Sequence, residues 1–382
     1  MAVHFNISKL PLPEIDRQRA QTLIRNWRAI EAGGHSSREE EEKRSVSIPI
    51  TNQAVQFVAQ VGVGSPATPY SLLVDTASAN TWVGADKKYV PSSSSKGTGH
   101  EVNVDYGSGR LKGTEYVDTL TLNSDLVIEG QSIGVASKIE GFGNIDGVLG
   151  LGPVDLTQHT VAEEDTVPAV LDNLFAQHQI SSEIFSLSFE PSTSNAGGAE
   201  LIFGEPDDSK HLGDITYVPI ADVEPASAYW GITQDVHYGV SEISLLKSTT
   251  GIVDSATTLT LLATSAFKKY QMLTGAQIDE HTGLLTVTEA QFALMKSVYF
   301  NIGGKSFELT PNAQIWPRAL NKRIGGKEGQ IYLIIADLGM ESEAGFDFIN
   351  GYTFLQRFYS VFDVTNKRVG FATTLATMAT SN

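Results

Sequence analysis

Two short stretches of the sequence carry the same arrangement of residues that could do acid–base chemistry. Residues 74–84 read VDTASANTWVG and residues 253–262 read VDSATTLTLL. In each stretch an aspartate, Asp75 or Asp254, ends an apolar run and is followed by a hydroxyl residue. Two carboxyl groups a few ångströms apart cannot both ionise cheaply, so one keeps a proton while the other does not. Such a pair can activate a water molecule and protonate a carbonyl oxygen without a metal or a covalent intermediate.

The duplication extends to the segments that follow each aspartate. Residues 146–153 read DGVLGLGP and residues 347–358 read DFINGYTFLQRF, each an acidic residue before an apolar segment broken by glycine. The resulting pseudo-repeat of about 170 residues is too long for a solenoid unit and indicates two similar lobes around one cleft. We expect a pseudo-twofold axis between the lobes to bring Asp75 and Asp254 together.

The remaining pattern predicts a mostly β protein. From Ser47 onward, short runs rich in Val, Ile, Thr, Tyr and Phe alternate with clusters of Gly, Asn and Ser, which is typical of strands and turns. Helices are predicted at 168–177, which opens with proline, and at 264–273, where Thr264 is a candidate N-cap. The chain has 382 residues, which is more than one hydrophobic core usually serves, so two domains are expected.

The first 44 residues differ from the rest of the chain. Residues 14–34 predict a helix, since apolar positions recur near a helical period: Ile15, Leu23, Ile24, Trp27 and Ile30. Arginines are assigned to the remaining helix surface: Arg17, Arg19, Arg25 and Arg28. Residues 9–28 carry five basic and two acidic residues, whereas residues 45–382 carry 19 basic and 37 acidic residues. A basic helix joined to an acidic body favours a detachable prosegment, and an ordinary N-terminal helix is the alternative.

The end of this segment carries a candidate processing site. Residues 35–45, HSSREEEEKRS, form a charged stretch with no apolar positions and are predicted to be a loop. Within it, Lys43 and Arg44 make a dibasic pair in an exposed setting. Cleavage there would separate residues 1–44 from the acidic body.

Composition and charge exclude several classes of function. The formal net charge of −17 argues against nucleic acid and anionic membranes as partners and suits work at low pH. The chain has no cysteine, which excludes thiol catalysis and thiolate metal sites. The eight histidines show no metal-ligand spacing, and the Gly-rich stretches lack the Lys-Ser/Thr of a phosphate loop. No cofactor or metal is therefore expected, and we expect a monomer.

The start of the sequence bears on its location in the cell. MAVHFNISKLPLP lacks the apolar region of a signal peptide, and no stretch approaches the length of a transmembrane helix. We expect a secreted protein whose signal peptide is not part of this chain. A vacuolar location is the alternative.

Taken in order along the chain, several segments resemble the pepsin-type aspartic proteases. They are VGVGSPATPYSLLVDTASANTWVGAD, VDYGSGRLKGTEY, SIGVAS, DGVLGLGPVDL, SAYWGI, GIVDSATTLTLL, NAQIWPR and DFINGYTFLQRFYSVFDVTNKRVGFATT. The resemblance implies a bilobal, mostly β fold of two pseudo-twofold-related, β-barrel-like lobes with a central cleft. It implies a prosegment at 1–44, an N-terminal lobe with a flap at 45–218 and a C-terminal lobe at 219–382. The implied activity is that of an acid endopeptidase, made as a self-inhibited zymogen and blocked by pepstatin-type inhibitors.

The resemblance also assigns roles to individual residues. Asp75 and Asp254 match the catalytic pair. The residues after them match supporting positions, of which the first pair locks the two aspartate turns together and the second pair hydrogen-bonds the outer carboxylate oxygens: Thr76 with Ser255, and Ser78 with Thr257. The flap and the cleft are matched by a further set: Tyr106, Gly107, Ser108, Trp82 and Tyr229. Because Ser108 stands where some fungal relatives have Asp, the implied preference is for large hydrophobic and aromatic residues at the cleaved bond, without special affinity for Lys.

Two positions depart from the family pattern Asp-Thr/Ser-Gly. Ala77 and Ala256 replace both glycines. An added methyl group there would crowd the site or constrain φ, unless the native φ is negative and tolerates it. Two hypotheses follow: an active endopeptidase, or a weakened or silent relative that binds peptides or proteins in the same cleft. A two-carboxylate glycosidase is a third class, but it does not show this duplicated Asp-hydroxyl pattern with a flap.

Inhibition by the prosegment requires a basic residue near the aspartates. Relatives use a lysine near the end of the prosegment, and Arg38 and Lys43 are the candidates in this sequence. The helix is also expected to bind the acidic body through its charge, with Arg25 and Arg28 as the contributing residues, and to leave as body carboxylates become protonated.

Overall fold

The computed structural model describes residues 10–27, 45–107, 109–191, 198–240 and 243–382. In this part of the chain the helices are α1 Leu12–Asn26, α2 Val170–Ala176, α3 Thr264–Thr274, α4 Glu289–Phe292 and α5 Tyr352–Leu355. The first strands are β1 Ser45–Asn52, β2 Phe57–Val63, β3 Thr68–Asp75, β4 Trp82–Val83, β5 Lys96–Asp105, β6 Arg110–Thr121, β7 Val127–Glu140, β8 Gly147–Gly150, β9 Ile184–Phe189, β10 Ala199–Gly204 and β11 Leu212–Pro219. They are followed by β12 Gly231–Tyr238, β13 Ile243–Val253, β14 Thr260–Leu262, β15 Gln277–Ile278, β16 Leu285–Val287, β17 Val298–Ile302, β18 Lys305–Leu309, β19 Ile331–Tyr332, β20 Ile335–Asp337, β21 Phe348–Asn350, β22 Phe358–Asp363 and β23 Arg368–Thr373. The predicted mostly β class is confirmed.

The N-terminal lobe is a curled sheet that closes on itself. Its strands follow the order β2-β3-β8-β4-β7-β6-β5, and β2 pairs with β6 as well as with β3. Within it β3 runs parallel to β8, which places Asp75 beside Gly150. The last four residues of β3 are buried because both faces of this short segment are covered, and apolar residues satisfy that setting.

The C-terminal lobe repeats this arrangement. Its main sheet has the order β18-β17-β12-β13-β21-β14-β20, and β15, β16 and β19 form a smaller sheet. Here β13 runs parallel to β21, with Val253 beside Asn350, so Asp254 follows directly where the pairing ends. In both lobes the strand before the aspartate pairs with the glycine-broken apolar segment. The sequence duplication therefore corresponds to one structural unit used twice, and the predicted bilobal fold is confirmed.

A third set of strands joins the two lobes. In the order β11-β23-β22-β9-β10-β1, strands from the C-terminal end of the chain pair with strands from its first half. Phe185 on β9 stacks on Phe362 of β22 with ring centroids 4.6 Å apart. Since the lobes share this sheet, the two aspartate turns are held at a fixed separation. The predicted lobe boundary at 218/219 falls at the end of β11, inside the shared sheet, and stays a prediction.

The two predicted helices of the body are present. The stretch 168–177 contains α2, and the stretch 264–273 covers α3 except for its last residue, Thr274. The prediction that Thr264 caps α3 is wrong, because the N-cap is Ala263 and Thr264 is already helical. The Thr264 hydroxyl instead donates to Asp337 Oδ1 at 2.7 Å.

Helix α1 is the one N-terminal element in the described part of the chain before β1. It begins at Leu12 with a proline in its first turn, where the missing N–H costs nothing. Polar and apolar side chains are buried on the same helix: Asp16, Arg19, Ala20, Thr22 and Leu23. No described helix is both long and apolar enough to cross a membrane. A face that buries charged residues requires specific partners, and these lie between the two lobes.

Candidate active site

The carboxyl group of Asp75 lies at the end of β3 and is fully buried. Its Oδ1 accepts a hydrogen bond from the backbone N–H of Ala77 at 2.9 Å, and its Oδ2 accepts one from the Ser78 hydroxyl at 2.7 Å. The tight turn after the strand makes both contacts local. The carboxylate is thereby held in one orientation.

Asp254 has the same surroundings in the other lobe. It is also fully buried, its Oδ1 accepts from the Ala256 N–H at 3.0 Å, and its Oδ2 accepts from the Thr257 hydroxyl at 2.5 Å. The two copies of the sequence pattern thus give two matching carboxyl groups. Each is fixed by one amide and one hydroxyl donor.

Thr76 and Ser255 connect the two aspartate turns. The Thr76 hydroxyl donates to the Val253 carbonyl at 3.1 Å and accepts from the Ser255 N–H at 3.0 Å. The Ser255 hydroxyl donates to the Val74 carbonyl at 2.8 Å and accepts from the Thr76 N–H at 3.2 Å. All four hydrogen bonds are buried and cross between the lobes. They fix the position of one carboxyl group relative to the other.

The side chain of Arg19 from α1 lies between the two carboxyl groups. Its Nη2 donates to Asp75 Oδ1 at 2.6 Å and to Asp254 Oδ1 at 3.1 Å, and its Nε donates to Asp254 Oδ2 at 2.7 Å. The guanidinium is 4% exposed. Burial alone would lower the pKa of Arg19, but the charges of Asp254 and Asp75 raise it above its ordinary value. Burial raises the pKa of Asp75, and the charge of Arg19 acts in the opposite direction.

This contact corrects one expectation from the sequence. The helical pattern assigns Arg19 to the helix surface, yet its side chain is buried and reaches Asp75 and Asp254. The candidates Arg38 and Lys43 lie outside the described residues, so their assignment stays a prediction. A signal was present, because Arg19 precedes the apolar Leu23 by four residues and so shares its face of the helix.

Tyr106 and Trp82 form a buried pair beside the aspartates. The Trp82 Nε1–H donates to the Tyr106 hydroxyl at 2.8 Å, and both side chains are at most 2% exposed. Burial raises the pKa of Tyr106, and the negative charge of Asp75 adds to the effect. Tyr106 therefore stays a neutral phenol at the wall of the site.

The hairpin that carries Tyr106 turns directly against α1. Gly107 has φ +78°, and its N–H donates to Asp105 Oδ1 at 3.0 Å. A Cβ atom at Gly107 would lie 2.5 Å from the carbonyl oxygen of Gln18 and 2.6 Å from the hydroxyl of Thr22, so a larger residue would clash with the helix. Ser108 lies outside the described residues. The Tyr106 hairpin therefore packs on α1, and α1 in turn covers the carboxyl groups of Asp75 and Asp254.

The C-terminal half of α1 is held by both lobes. The Tyr229 hydroxyl donates to the Leu23 carbonyl at 2.7 Å, and the Asn26 side-chain amide donates to the Asp105 carbonyl at 2.8 Å. Arg25 makes a weaker contact, because its Nη2 lies 3.5 Å from Asp105 Oδ2 and its side chain is 65% exposed. Tyr229, predicted to line the cleft, thus contacts the helix that fills it.

Comparison with known proteins identifies the family of this chain. The family model described as eukaryotic aspartyl protease matches residues 56–374. The chain belongs to this family. The resemblance read from the sequence is therefore confirmed, and the protein is an aspartic endopeptidase.

Individual relatives of this aspartyl protease agree with the assignment. Polyporopepsin from Irpex lacteus is 58% identical over 339 residues, which cover 88% of this chain and 99% of polyporopepsin. Rhizopuspepsin from Rhizopus chinensis is 31% identical over 335 residues, covering 83% and 78% of the two chains. The crystal structure of the aspartic proteinase from Irpex lacteus matches with a TM-score of 0.86 and 57% identity, over 89% of this chain and 100% of that chain. The protein is thus a pepsin-like acid endopeptidase that hydrolyses peptide bonds in proteins.

The two alanines of this aspartyl protease occupy backbone conformations that suit them. Neither Ala77 nor Ala256 is among the described non-glycine residues with positive φ. Both keep their N–H groups on the adjacent carboxylates, and Ala256 packs against the apolar cluster around Trp82. A methyl group at these places therefore introduces no left-handed backbone strain.

A cavity of about 370 Å³ adjoins the protease's carboxyl groups at the C-terminal end of α1. Its wall combines aromatic and aliphatic side chains, among them Tyr106, Leu156 and Tyr229, with polar and charged ones such as Asn80 and Arg110. Such a mixture suits a peptide side chain with part of its backbone. Across residues 10–27, 45–107, 109–191, 198–240 and 243–382, no group of three or more histidine and acidic residues is arranged to hold a metal ion.

Proposed function

We propose that this chain is the zymogen of the acid endopeptidase, with Asp75 and Asp254 as its catalytic pair and α1 as its inhibitory element. The observation that carries the proposal is the pairing of one guanidinium, that of Arg19, with both carboxyl groups. A pair of carboxylates bound to a shared cation has no free oxygen surface for a water and a peptide carbonyl. The same helix fills the cleft in which a substrate would lie.

Release of α1 would leave two carboxyl groups without their cation. Their mutual repulsion then favours one shared proton, as is typical of aspartic proteases. The ionised member accepts a proton from a water molecule, which attacks the peptide carbonyl carbon, while the protonated member donates to the carbonyl oxygen. On collapse of the tetrahedral intermediate the C–N bond breaks: the leaving amine takes the proton that was accepted from water, and one hydroxyl of the intermediate returns its proton to the other carboxylate.

The neighbouring side chains support this chemistry. The hydroxyl groups of Ser78 and Thr257 donate to the carboxyl oxygens, which favours the ionised form and keeps the carboxyl planes fixed. Thr76 and Ser255 hold the two turns together. The hairpin with Tyr106 is proposed to close over a substrate and exclude water, as it lies on α1 in this structure.

Substrate preference follows from the walls of the cleft. Tyr106, Tyr229 and Leu156 line the cavity next to the Asp75 turn, and these aromatic and aliphatic side chains support the proposed preference for hydrophobic and aromatic residues at the cleaved bond. Ser108, on which the absence of a preference for Lys was argued, lies outside the described residues. Pepstatin-type inhibitors are proposed to bind the opened cleft.

Residues 1–44 are proposed as the prosegment, with processing at Lys43 and Arg44, which lie outside the described residues. Three observations support this division. The family match begins only at residue 56, and β1 joins the shared sheet from Ser45. Polyporopepsin, moreover, is matched over 99% of its length by 88% of this chain. Secretion, or alternatively a vacuolar location, and a monomeric state belong to the same proposal.

An acid time course tests the proposal. The intact chain is brought to roughly pH 3–5, where a shared-proton pair should work, and its mass is followed together with cleavage of an unfolded protein. We expect a shorter form beginning near Ser45 and substrate cleavage that a pepstatin-type inhibitor abolishes. If the chain trimmed by a dibasic-specific protease still cleaves nothing, the proposal fails and the peptide-binding alternative takes its place.

A further inference from the structure

Asp16 is a second buried charged residue on α1, one helical turn before Arg19. Its side chain is 2% exposed. Oδ2 accepts a hydrogen bond from the Leu259 N–H at 2.8 Å, and Oδ1 accepts one from the Thr258 N–H at 3.3 Å. These two amides follow the aspartate turn of the C-terminal lobe. Asp16 is therefore anchored to one lobe only, through backbone groups that do not titrate.

The charges around Asp16 do not neutralise it. Arg19, on the same helix, directs its hydrogen bonds to Asp75 and Asp254, and no described hydrogen bond joins it to Asp16. Asp254 faces Asp16 from the C-terminal lobe with a like charge. A buried carboxylate without a direct cation is costly, whereas a neutral carboxylic acid can still accept the two amide hydrogen bonds.

We propose that Asp16 is a second anchor of α1, which binds the Thr258 and Leu259 amides as a neutral carboxylic acid and so holds the helix more tightly in weak acid than at neutral pH. This inference rests on the proposed role of α1 as the inhibitory element. It gives the helix two attachments with opposite responses to pH. Arg19 needs ionised carboxyl groups as partners, while Asp16 needs to be protonated itself.

The sign of the Asp16 contribution follows from proton linkage. Burial raises the pKa of Asp16 from 3.8 to about 7; the Leu259 and Thr258 amides and the charge of Arg19 oppose the rise, and the charge of Asp254 adds to it. The docked helix thus holds this proton more firmly than the released helix. The contribution is fully present below the released-state pKa and is lost as pH rises through the docked-state pKa. Because the released-state pKa of 3.8 lies below this range and the docked-state pKa lies near 7, docking weakens through Asp16 by roughly fiftyfold between pH 5 and pH 7.

The Arg19 contribution has the opposite sign. Burial raises the pKa of Asp75 and the charge of Arg19 lowers it, so the docked guanidinium favours the ionised carboxylate, and this attachment weakens as acid protonates Asp75. Docking is therefore strongest in weak acid and decreases both in stronger acid and towards neutrality. In weak acid the Asp16 anchor thus keeps α1 in the cleft at pH values where the ion pairs of Arg19 alone would already begin to weaken.

Hydrogen exchange of the full-length chain tests this inference. Short deuterium pulses between pH 5.0 and 7.5, above the range used for self-processing and corrected for intrinsic exchange rates, report the protection of the peptide that spans α1, and the intact mass verifies that the chain is uncut. Three proteins are compared: wild type, Asp16→Asn, and Glu14→Gln as a matched loss of charge on the same helix. Glu14 has a partly exposed side chain paired with Arg17. Asn keeps a carbonyl oxygen for the amides but has no proton to lose.

The expected result concerns the ratio of protection between variants. Relative to Asp16→Asn, wild-type α1 should lose roughly fiftyfold protection from pH 5 to pH 7, whereas Glu14→Gln should follow the wild type. If the protection of α1 changed with pH in the same way in wild type and Asp16→Asn, even with a constant difference between them, the inference would be overturned and the zymogen proposal would stand. An unprotected α1 in the wild type at every pH would overturn the zymogen proposal itself.

Discussion

The hydroxyl groups of Thr76 and Ser255 exchange hydrogen bonds across the boundary between the lobes. Each accepts from the other residue's N–H, at 3.0 and 3.2 Å, and each donates to a carbonyl of the opposite strand. The position of Asp75 relative to Asp254 thus depends on two neighbouring side chains, those of Thr76 and Ser255. Loss of either hydroxyl group should therefore change the relative position of the two carboxyl groups and also lower the stability of the protein.

We expect Thr76→Val to lower both the stability and the kcat of the activated enzyme. The change leaves buried donors and acceptors of the opposite lobe without partners, which costs about 1–3 kcal/mol each. Urea unfolding and steady-state kinetics measure the two effects. Ser255→Thr is the matched control, since it keeps the hydroxyl and adds only a methyl group. Equal kcat values for Thr76→Val and wild type would show that the hydrogen bonds between Thr76 and Ser255 do not position the carboxyl groups.

We expect Arg19→Gln to open the cleft at a higher pH than in the wild type. Removing one partner of a buried ion pair leaves uncompensated charge and costs about 3 kcal/mol or more, which disfavours the docked helix. The pH at which the chain begins to shorten is followed by intact mass. Arg25→Gln is the control, because the exposed Arg25 contributes little through its 3.5 Å contact with Asp105. If Arg25→Gln raised the processing pH more than Arg19→Gln did, exposed charges of the helix, and not the buried contact of Arg19, would hold α1 in the cleft.

We expect Asp75→Asn to remain at full mass in acid. The amide cannot take part in a shared-proton pair, so neither self-processing nor substrate cleavage should occur. Mass spectrometry and a peptide assay follow both events, and addition of activated wild-type enzyme determines whether the variant is cut in trans. Asp86→Asn, an exposed aspartate of the same lobe, should behave like the wild type. Processing of purified Asp75→Asn by itself would contradict the assignment of the catalytic pair.

We expect Ala77→Gly and Ala256→Gly to change kcat/KM by less than about threefold. Both alanines have backbone conformations open to any residue, so glycine removes no strain, and its greater freedom when unfolded should cost about 0.5–1 kcal/mol of stability. Kinetics and thermal unfolding check the two parts. A gain in activity of tenfold or more would mean that the methyl groups restrain the enzyme, in line with the weakened-protease hypothesis.

Local sequence patterns were sufficient for much of the fold. Alternating apolar residues predicted a β protein, and the repeated aspartate stretches predicted two lobes with Asp75 and Asp254 in equivalent places. This works because strand, turn and parallel neighbour lie within one short unit that each lobe builds independently. The helices near 168–177 and 264–273 are likewise set by local periodicity.

The partners of α1 could not be obtained in the same way. An arginine on an amphipathic helix is normally solvated, and the sequence of the helix does not show that two distant carboxyl groups compensate Arg19. The burial of Asp16 likewise depends on amides at Thr258 and Leu259, which carry no side-chain signal. At Thr264 a nearby acceptor, Asp337, competed with the predicted cap. In each case a long-range contact decided the outcome.

The position of β1 in the shared sheet determines what cleavage near Ser45 would achieve. From Ser45 onward β1 pairs with β10, so a cut before it leaves the sheet between the lobes intact. While the chain is uncut, however, α1 remains covalently joined to β1, and a helix that leaves the cleft stays at a high effective concentration beside it. Acid alone then produces a reversible opening. The cut converts rebinding into a bimolecular event that dilution suppresses, and activation becomes a one-way step.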